Sequence, residues 1–374
     1  MPEFTLIDDL SKVNPKQWDA LTDDEPFLKH AFLHALQHHG CASRATGWQP
    51  LHLLMHEKNT LSGALPLYLK HHSRGEYVFD TAWARAFEHN GIPYYPKLIS
   101  AVPFTPVPGS RLLARNPTQK KALAQEAIQL CAQNGISSLH ILFPDKYDTE
   151  ILEQAGFMMR SNVQFHWINK GYATLDDFLA CMSQAKRKKL RQDSRKVHQA
   201  GISFTTYSGL ELTSDLLDFF YKCYRQTYLE HGQLPYLNAA FFDGLTKTLP
   251  ENLVLIVAYQ NGLPIASALN IRSKTRLYGR YWGSLRFVPG LHFETCYLQG
   301  IAYCINEGLY AFEGGAQGEH KLSRGFSPVR TWSAHWVAHS GYANAIRAFL
   351  NDETDAVGQY EVTLQERSPY KAQQ

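Results

Sequence analysis

A chain of 374 residues that is 44% hydrophobic, 13% aromatic and only 19% charged is long enough for two cores and too apolar to stay disordered. A net charge of +3 spread over that length excludes a global field for polyanions, so any phosphate or nucleic-acid contact must come from a local patch. The opening MPEFTLIDDL is acidic where a signal peptide would be basic, and no apolar run approaches the ~18 residues of a membrane span; a cytoplasmic protein is expected.

The six cysteines, Cys41, Cys131, Cys181, Cys223, Cys296 and Cys304, include no C-x-x-C pair and read as reduced, mostly buried thiols. The first clear helix is KHAFLHALQHHG (29–40), which buries Leu28, Phe32, Ala35 and Leu36. His30, His34 and His38 share a face of it, but no carboxylate joins them at ligand spacing, so no metal is expected. His52 and His56 fall on a strand, where four residues span over ~13 Å, too far for one ion.

LHLLMHEKNTLSGALPLYLK (51–70) alternates as strand, polar turn and strand. After it comes HSRGEYVFD, whose Arg74, Glu76 and Asp80 sit among aromatics that a mere connector would not need. Further on, AIQLCAQNGISSLHIL (127–142) reads as a helix, a glycine cap and a strand. Both patterns return later. LVLIVAYQNGLPIASALNIR (253–272) matches the first without a gap, pairing Leu51/Leu253, Asn59/Asn261, Ala64/Ala266 and Leu67/Leu269. GIAYCINEGLYAFEGG (300–315) matches the second, pairing Ile128/Ile301, Cys131/Cys304 and Gly135/Gly308. Two matches in the same order predict an internal duplication. Each copy reads as a mixed α/β unit, and the expected domains are 1–168 and 169–374. No G-x-G-x-x-G lies between a strand and a helix, which disfavours a dinucleotide fold.

Between the copies, Leu175 to Gly201 predicts one helix with Asp176 and Asp177 in its first turn and Lys186, Arg187, Lys188, Lys189, Arg191, Arg195 and Lys196 in its distal half. Such a helix attracts phosphate, yet it carries no aromatic on which a base would stack. In the second copy Pro289-Gly290 precedes a helix predicted over 291–307, a plausible phosphate-accepting start with Arg286 beside it. The stripe Phe293, Cys296, Tyr297, Gly300, Ile301 and Cys304 should face the core, which reads Cys296 as an inert thiol rather than a nucleophile paired with His292.

The stretches GALPLYLKHHSRGEYVFD (63–80), YYPKLISAVPFTPVPGSRLL (94–113), LYGRYWG (277–283), LHFETCYLQGIAYCINEGL (291–309) and GGAQGEHKLSRGF (314–326) carry a resemblance to the FemAB-like branch of the GNAT acyltransferase superfamily, a peptidoglycan-biosynthesis-like bacterial group of N-acyltransferases. The resemblance implies an α/β fold of two tandem GNAT-like domains, the second beginning with the basic helix. It implies an acyltransferase that uses acyl-CoA as co-substrate, with no tightly bound cofactor, and a small-molecule or peptide amine as acceptor. Two alternatives accompany it: aminoacyl transfer from aminoacyl-tRNA to a peptidoglycan precursor or peptide, and a binding protein that keeps the fold without catalysis. The pyrophosphate loop Q/R-x-x-G-x-G/A of ordinary GNAT enzymes has no intact copy; in RFVPGLHFE, Arg286 and Gly290 stand one residue too far apart.

An amine nucleophile starts as an ammonium and benefits from a general base. The candidates are Glu319 and His320 in the Gly-rich loop, then Glu294 and His292. Donor contacts are expected from Arg286, Gly290, Lys321, Arg324, Lys186 and Arg187, and acceptor contacts from Arg74, Glu76, Asp80, Gly314 and Gly315.

Overall fold

The computed structural model describes residues 2–315 and 318–371. Its chain forms two compact units, one of residues up to Val163 with Arg330–Tyr360, the other of Gln164–Val329 with the residues from Glu361 onward. The single boundary expected at 168/169 did not foresee the return of 330–360 to the first unit. Strand pairing causes that return, because Ser333 to Val337 run antiparallel to Leu142 to Ser138.

The first unit contains β1 (Glu3–Ile7), β2 (Gln49–Pro50), β3 (His52–Glu57), β4 (Thr60–Leu65), β5 (Tyr68–Lys70), β6 (Lys97–Ser100), β7 (Leu113–Ala114), β8 (Ser138–Leu142) and the start of β9 (Met158–Ile168). Its helices are α1 (Pro15–Asp19), α2 (His30–His38), α3 (Thr81–His89), α4 (Pro117–Gln133) and α5 (Lys146–Gln154). One sheet runs β1-β3-β4-β7, and a second ladder joins β2, β5, β6 and β8, with β6 and β8 parallel. Leu53, Leu98, Leu139 and Ile141 from the strands and Leu67 from the joint between β4 and β5 pack with Leu123, Ala127 and Cys131 of α4 in one core.

The second unit opens with α6 (Leu175–Ala180) and α7 (Gln184–Gln199), followed by β10 (Ile202–Ser208), α8 (Ser214–Glu230) and α9 (Ala239–Thr248). The meander β11 (Leu253–Gln260), β12 (Leu263–Arg272) and β13 (Arg276–Ser284) comes next. One long helix is then assembled from α10 (Leu291–Phe293), a π-helical turn (Glu294–Leu298) and α11 (Gln299–Asn306), before β14 (Ala311–Glu313) and β15 (Ser327–Val337). The sheet order is β10-β11-β12-β13-β14, closed by the end of β9, with β13 and β14 parallel. The last helix, α12, spans Ser340–Glu366. The basic helix expected over 175–201 is interrupted at 181–183, because Met182 bridges to Tyr370 and the Ser183 N–H is taken by the Pro369 carbonyl at 2.9 Å.

The duplication is visible in matching irregularities. In both hairpins the two turn residues have positive φ, Lys58 and Asn59 in one, Asn261 and Gly262 in the other. In both, the register shifts at the same place: Met55↔Gly63 then His56↔Leu61, and Ala258↔Ala266 then Tyr259↔Pro264. These equivalences differ by one residue from the gap-free sequence match, because the turn geometry aligns Asn59 with Gly262 rather than with Asn261. The helix-to-strand joints agree as aligned by sequence. Gly135 and Gly308 both have φ of 64°, and the Ile136 and Leu309 N–H groups return to the Cys131 and Cys304 carbonyls.

Inside the first unit the segment after β5 is anchored by a buried polar chain. Lys97, fully buried at the start of β6, donates from Nζ to Glu76 Oε2 at 2.7 Å, Asp80 Oδ2 at 2.5 Å and Ser73 Oγ at 2.7 Å. Lys70, equally buried, lies 3.8 Å from Glu76 Oε1 and 3.8 Å from the Trp48 ring centroid. From Asp80 the chain runs through the Tyr94 hydroxyl to His140 and on to His335, whose Nδ1 is 2.7 Å from that of His140. Burial lifts Glu76 to about 7 and lowers Lys70 to about 7 and His140 to about 3; against the cost of burial, Lys97 holds Asp80 below the usual carboxylate range. Replacing Lys97 by Met strands a buried carboxylate. Lys97→Met is expected to lower the unfolding free energy by about 3–5 kcal/mol in chemical denaturation; a loss below about 1 kcal/mol would show that the network does not anchor the segment.

Candidate functional site

In the second unit the parallel pairing of β13 and β14 covers only Arg276 to Tyr278 against Ala311 to Glu313. Beyond it β13 continues to Ser284, while β14 stops and the chain turns away through Gly314. A cavity of about 130 Å³ lies there, lined by Arg280, Tyr281, Trp282, His292, Cys296, Tyr297, Phe312 and Gly314 among others. Arg280 is the extra residue of a β-bulge, since Leu269 faces Tyr281 and Asn270 faces Gly279. Bulges re-aim side chains beside sites in this way.

A second cavity, of about 450 Å³, adjoins it. Ser284 to Phe293 form one wall, and Gln226, Thr227, Glu230 and His231 of α8 form the other. Trp282 and His292 line both cavities. Two glycines make this arrangement possible. At Gly283 a Cβ would fall 1.9 Å from the Cys223 carbonyl oxygen, so only glycine lets α8 approach β13. At Gly290, φ of 85° is left-handed and initiates the helix.

The electrostatics of the site come from burial beside cations. Burial, then His320, Arg324 and Lys321, lowers His292 to about 4, so its ring is neutral at pH 7. The Tyr297 hydroxyl, pushed up by burial, lies 3.0 Å from His320 Nε2. Lys321 is buried, donates to the Gly315 carbonyl at 3.0 Å and is lowered by burial to about 8. A Cβ on Gly314, which lines the smaller cavity, would meet its Cδ at 3.1 Å, so the lysine stem packs on that glycine. The Arg324 guanidinium sits 3.9 Å over the Phe293 ring. Burial pushes the Cys296 thiol far above its ordinary range, which keeps it protonated although it lines the cavity.

Several residues singled out in the sequence meet here. Arg286 and Gly290 line the larger cavity, His292 both, and Gly314 the smaller. His320, Lys321 and Arg324 stand in a 3₁₀ turn (Glu319–Arg324), which His320 links to the smaller cavity through Tyr297 and Arg324 links to the larger through Phe293. Others do not join them. Glu319 is exposed and pairs with Arg367 at 2.9 Å. Glu294 lies inside the π turn, where Gln299 Nε2 donates to its Oε1 at 3.0 Å and His198 Nε2 lies 3.7 Å away; it lines neither cavity. Lys186 and Arg187 lie on α7 and line neither cavity. The carboxylates of Glu76 and Asp80 are turned into the buried network of the first unit, while Arg74 is exposed and gives its carbonyl to Lys70. Ala316 and Gln317 of the Gly-rich loop fall outside the described residues. Sequence reasoning passed over Arg280, Trp282 and Tyr297; the run LYGRYWG carried the first two and the helix stripe the third, but nothing in a regular alternation marks the bulge that opens a cavity beside them.

The first unit has the same parallel pair, β6 with β8, but there the gap is sealed. Gly109 bridges Pro144, its N–H donating to Phe143 and its carbonyl accepting from Asp145. Arg111, fully buried, donates from Nε to the Leu142 carbonyl at 2.9 Å and from Nη2 to that of Val107 at 2.6 Å.

The model of the FemAB-like family, described as peptidoglycan biosynthesis/recognition, matches residues 9–372, and the chain belongs to that family. The fold is similar to that of FemX, at a TM-score of 0.56 and 11% identity over 92% of this chain and 100% of the other. It is also similar to L-PGS from Bacillus licheniformis, at 0.52 and 12% over 90% and 96%. A conserved protein of unknown function from Bacteroides thetaiotaomicron gives 0.52 and 11% over 89% and 99%. No curated protein matches the sequence. Family and fold agree on a chain of two mixed α/β units, with a fold like that of FemX and L-PGS. Among the described residues no helix is long and apolar enough to cross a membrane.

Because Gly283 sets the distance between α8 and β13, Gly283→Ala is expected to cost roughly 3 kcal/mol, at the upper end of overpacking penalties. It should also loosen the larger cavity. A thermal melt that does not move would contradict the close approach.

Proposed function

We propose that the second unit performs the transfer, with the donor's phosphate-bearing part in the larger cavity and its reacting carbonyl in the smaller one. The observation that carries this reading is the junction of the two cavities at Trp282 and His292, in the gap that β13 and β14 leave open. Acyl-CoA is the donor assigned, with Arg286 and the helix start at Gly290 facing its phosphates.

The amine attacks the thioester carbonyl, forming the C–N bond and a tetrahedral oxyanion. The Lys321 ammonium, whose stem packs on Gly314, stabilises that negative charge. Neutral His292 takes the proton that the amine must lose. When the C–S bond breaks, the Tyr297 hydroxyl donates a proton to the departing thiolate and is resupplied through His320. Glu319, engaged with Arg367, has no part in this scheme.

A second reading, aminoacyl transfer from aminoacyl-tRNA onto a peptidoglycan precursor or peptide, is favoured by the family's description and by the seven cations of α7. A ligand that binds the native state raises its melting temperature, so a thermal-shift and transfer screen with CoA, acyl-CoAs and charged tRNAs separates the two. Absence of both binding and transfer across that panel would sink the assignment.

The scheme has two kinetic consequences. His292→Gln should lower kcat by about 10²-fold or more with little change in donor binding, the usual scale for removing a general base. Lys321 is charged below about 8 and neutral above it, so kcat should fall as pH rises through about 8. Lys321→Arg, which stays charged, should remove that alkaline limb, and Lys321→Met should be slow at every pH.

A further inference from the structure

The loop between β13 and the long helix presents apolar side chains to water around a cation. Phe287 is 92% exposed and Leu285 47%, with exposed Arg286 between them. Leu229 on α8, next in sequence to Glu230 of the cavity's other wall, and Leu234 beyond the helix are also exposed, at 46% and 78%. Large apolar side chains scattered singly need no explanation, but Leu285 and Phe287 stand two residues apart on one loop and both border the larger cavity, where water solvates them poorly.

Charge lies against the same loop. Val197 of α7 would touch a Cβ on Gly290 at 3.3 Å, and Val197 packs with Val288 and Leu291 in one cluster. Along the exposed face of α7 stand Lys186, Lys188, Lys189, Arg191, Arg195 and Lys196. Two of these are engaged in ion pairs, Lys189 with Asp193 and Arg191 with Asp176. Apolar tips flanked by a dense basic face are complementary to an anionic bilayer surface, which takes the tips into its headgroup region and the cations at its phosphates. Nucleic acid fits less well, because Phe287 is the one stacking surface among the exposed tips of this loop and no Phe, Tyr or Trp interleaves the cations of α7.

We propose that the loop 285–290 and α7 dock the second unit on an anionic membrane surface, which brings the mouth of the larger cavity to the lipid–water interface. Docking is a property of the surface and does not depend on the transfer scheme, so it is measured without turnover.

The test is co-sedimentation of the full chain with vesicles of phosphatidylglycerol and phosphatidylcholine, compared with phosphatidylcholine alone. Binding to the anionic vesicles is expected, weakening steeply with salt. A cation near such a surface contributes about fivefold in partition, so Lys188→Glu with Arg195→Glu should weaken binding by at least about 25-fold and flatten the salt dependence. Phe287→Asp, at a side chain too exposed to matter for folding, should weaken it about tenfold with the salt dependence kept. Failure to sediment with anionic vesicles at low salt overturns the proposal. So does a Phe287→Asp variant that binds as the parent does, or retention of RNA by α7 without vesicle binding.

Discussion

The site depends on one local constraint, the length over which two parallel strands stay paired. A parallel ladder must end somewhere, and the groups beyond its last pair need other partners. In the second unit the pairing ends at Tyr278 and Glu313, and the space beyond is left as a cavity walled by Trp282, His292 and Tyr297. In the first unit the chain just after β8 is instead bridged at Pro144 to Gly109, and the buried Arg111 holds the Leu142 and Val107 carbonyls. One architecture, duplicated, therefore yields one open cleft and one sealed one. The difference resides in the residues immediately after β8 and β14: Phe143-Pro144-Asp145 in one copy, a glycine-rich loop in the other.

The sealed copy puts its charge to a different use. Glu76 and Asp80 look like acceptor-site residues in a sequence, since they stand among aromatics in an insertion. Lys97 decides otherwise, because a lysine at the first position of a fully buried strand must find carboxylates or lose its charge. Its partners come from the insertion, which is thereby pulled over the sheet. The carboxylates serve the fold of the first unit, and the smaller cavity of the second unit is lined instead by imidazole and phenol groups, those of His292, Tyr281 and Tyr297.

Much of the architecture was legible in the residues, because hairpins and helix caps are local events. Two turn residues of positive φ and a glycine after a helix repeat wherever the same geometry is needed, and so the duplication could be read before any coordinates. The return of 330–360 to the first unit was not legible, since it rests on pairing between residues almost two hundred positions apart. The site was half legible. The loop charges Lys321 and Arg324 and the helix-start residues Arg286, Gly290 and His292 stood out by composition, whereas Arg280, Trp282 and Tyr297 were hidden in apolar alternation.

Those hidden residues share a cause. Periodicity arguments assume two residues per strand repeat and 3.6 per helical turn, and both fail around the smaller cavity. The bulge at Arg280 adds a residue to β13, and the π turn adds one to the helix facing it. Each insertion moves the neighbouring side chains to a face that the pattern did not assign them. Glu294, in the π turn, is carried inside, and Cys296, expected in the core, reaches the cavity wall. An unbroken strand against an unbroken helix would close-pack and leave no room between them. The two irregularities hold the elements apart at the smaller cavity, which is why the residues least predictable from periodicity are among those that line it.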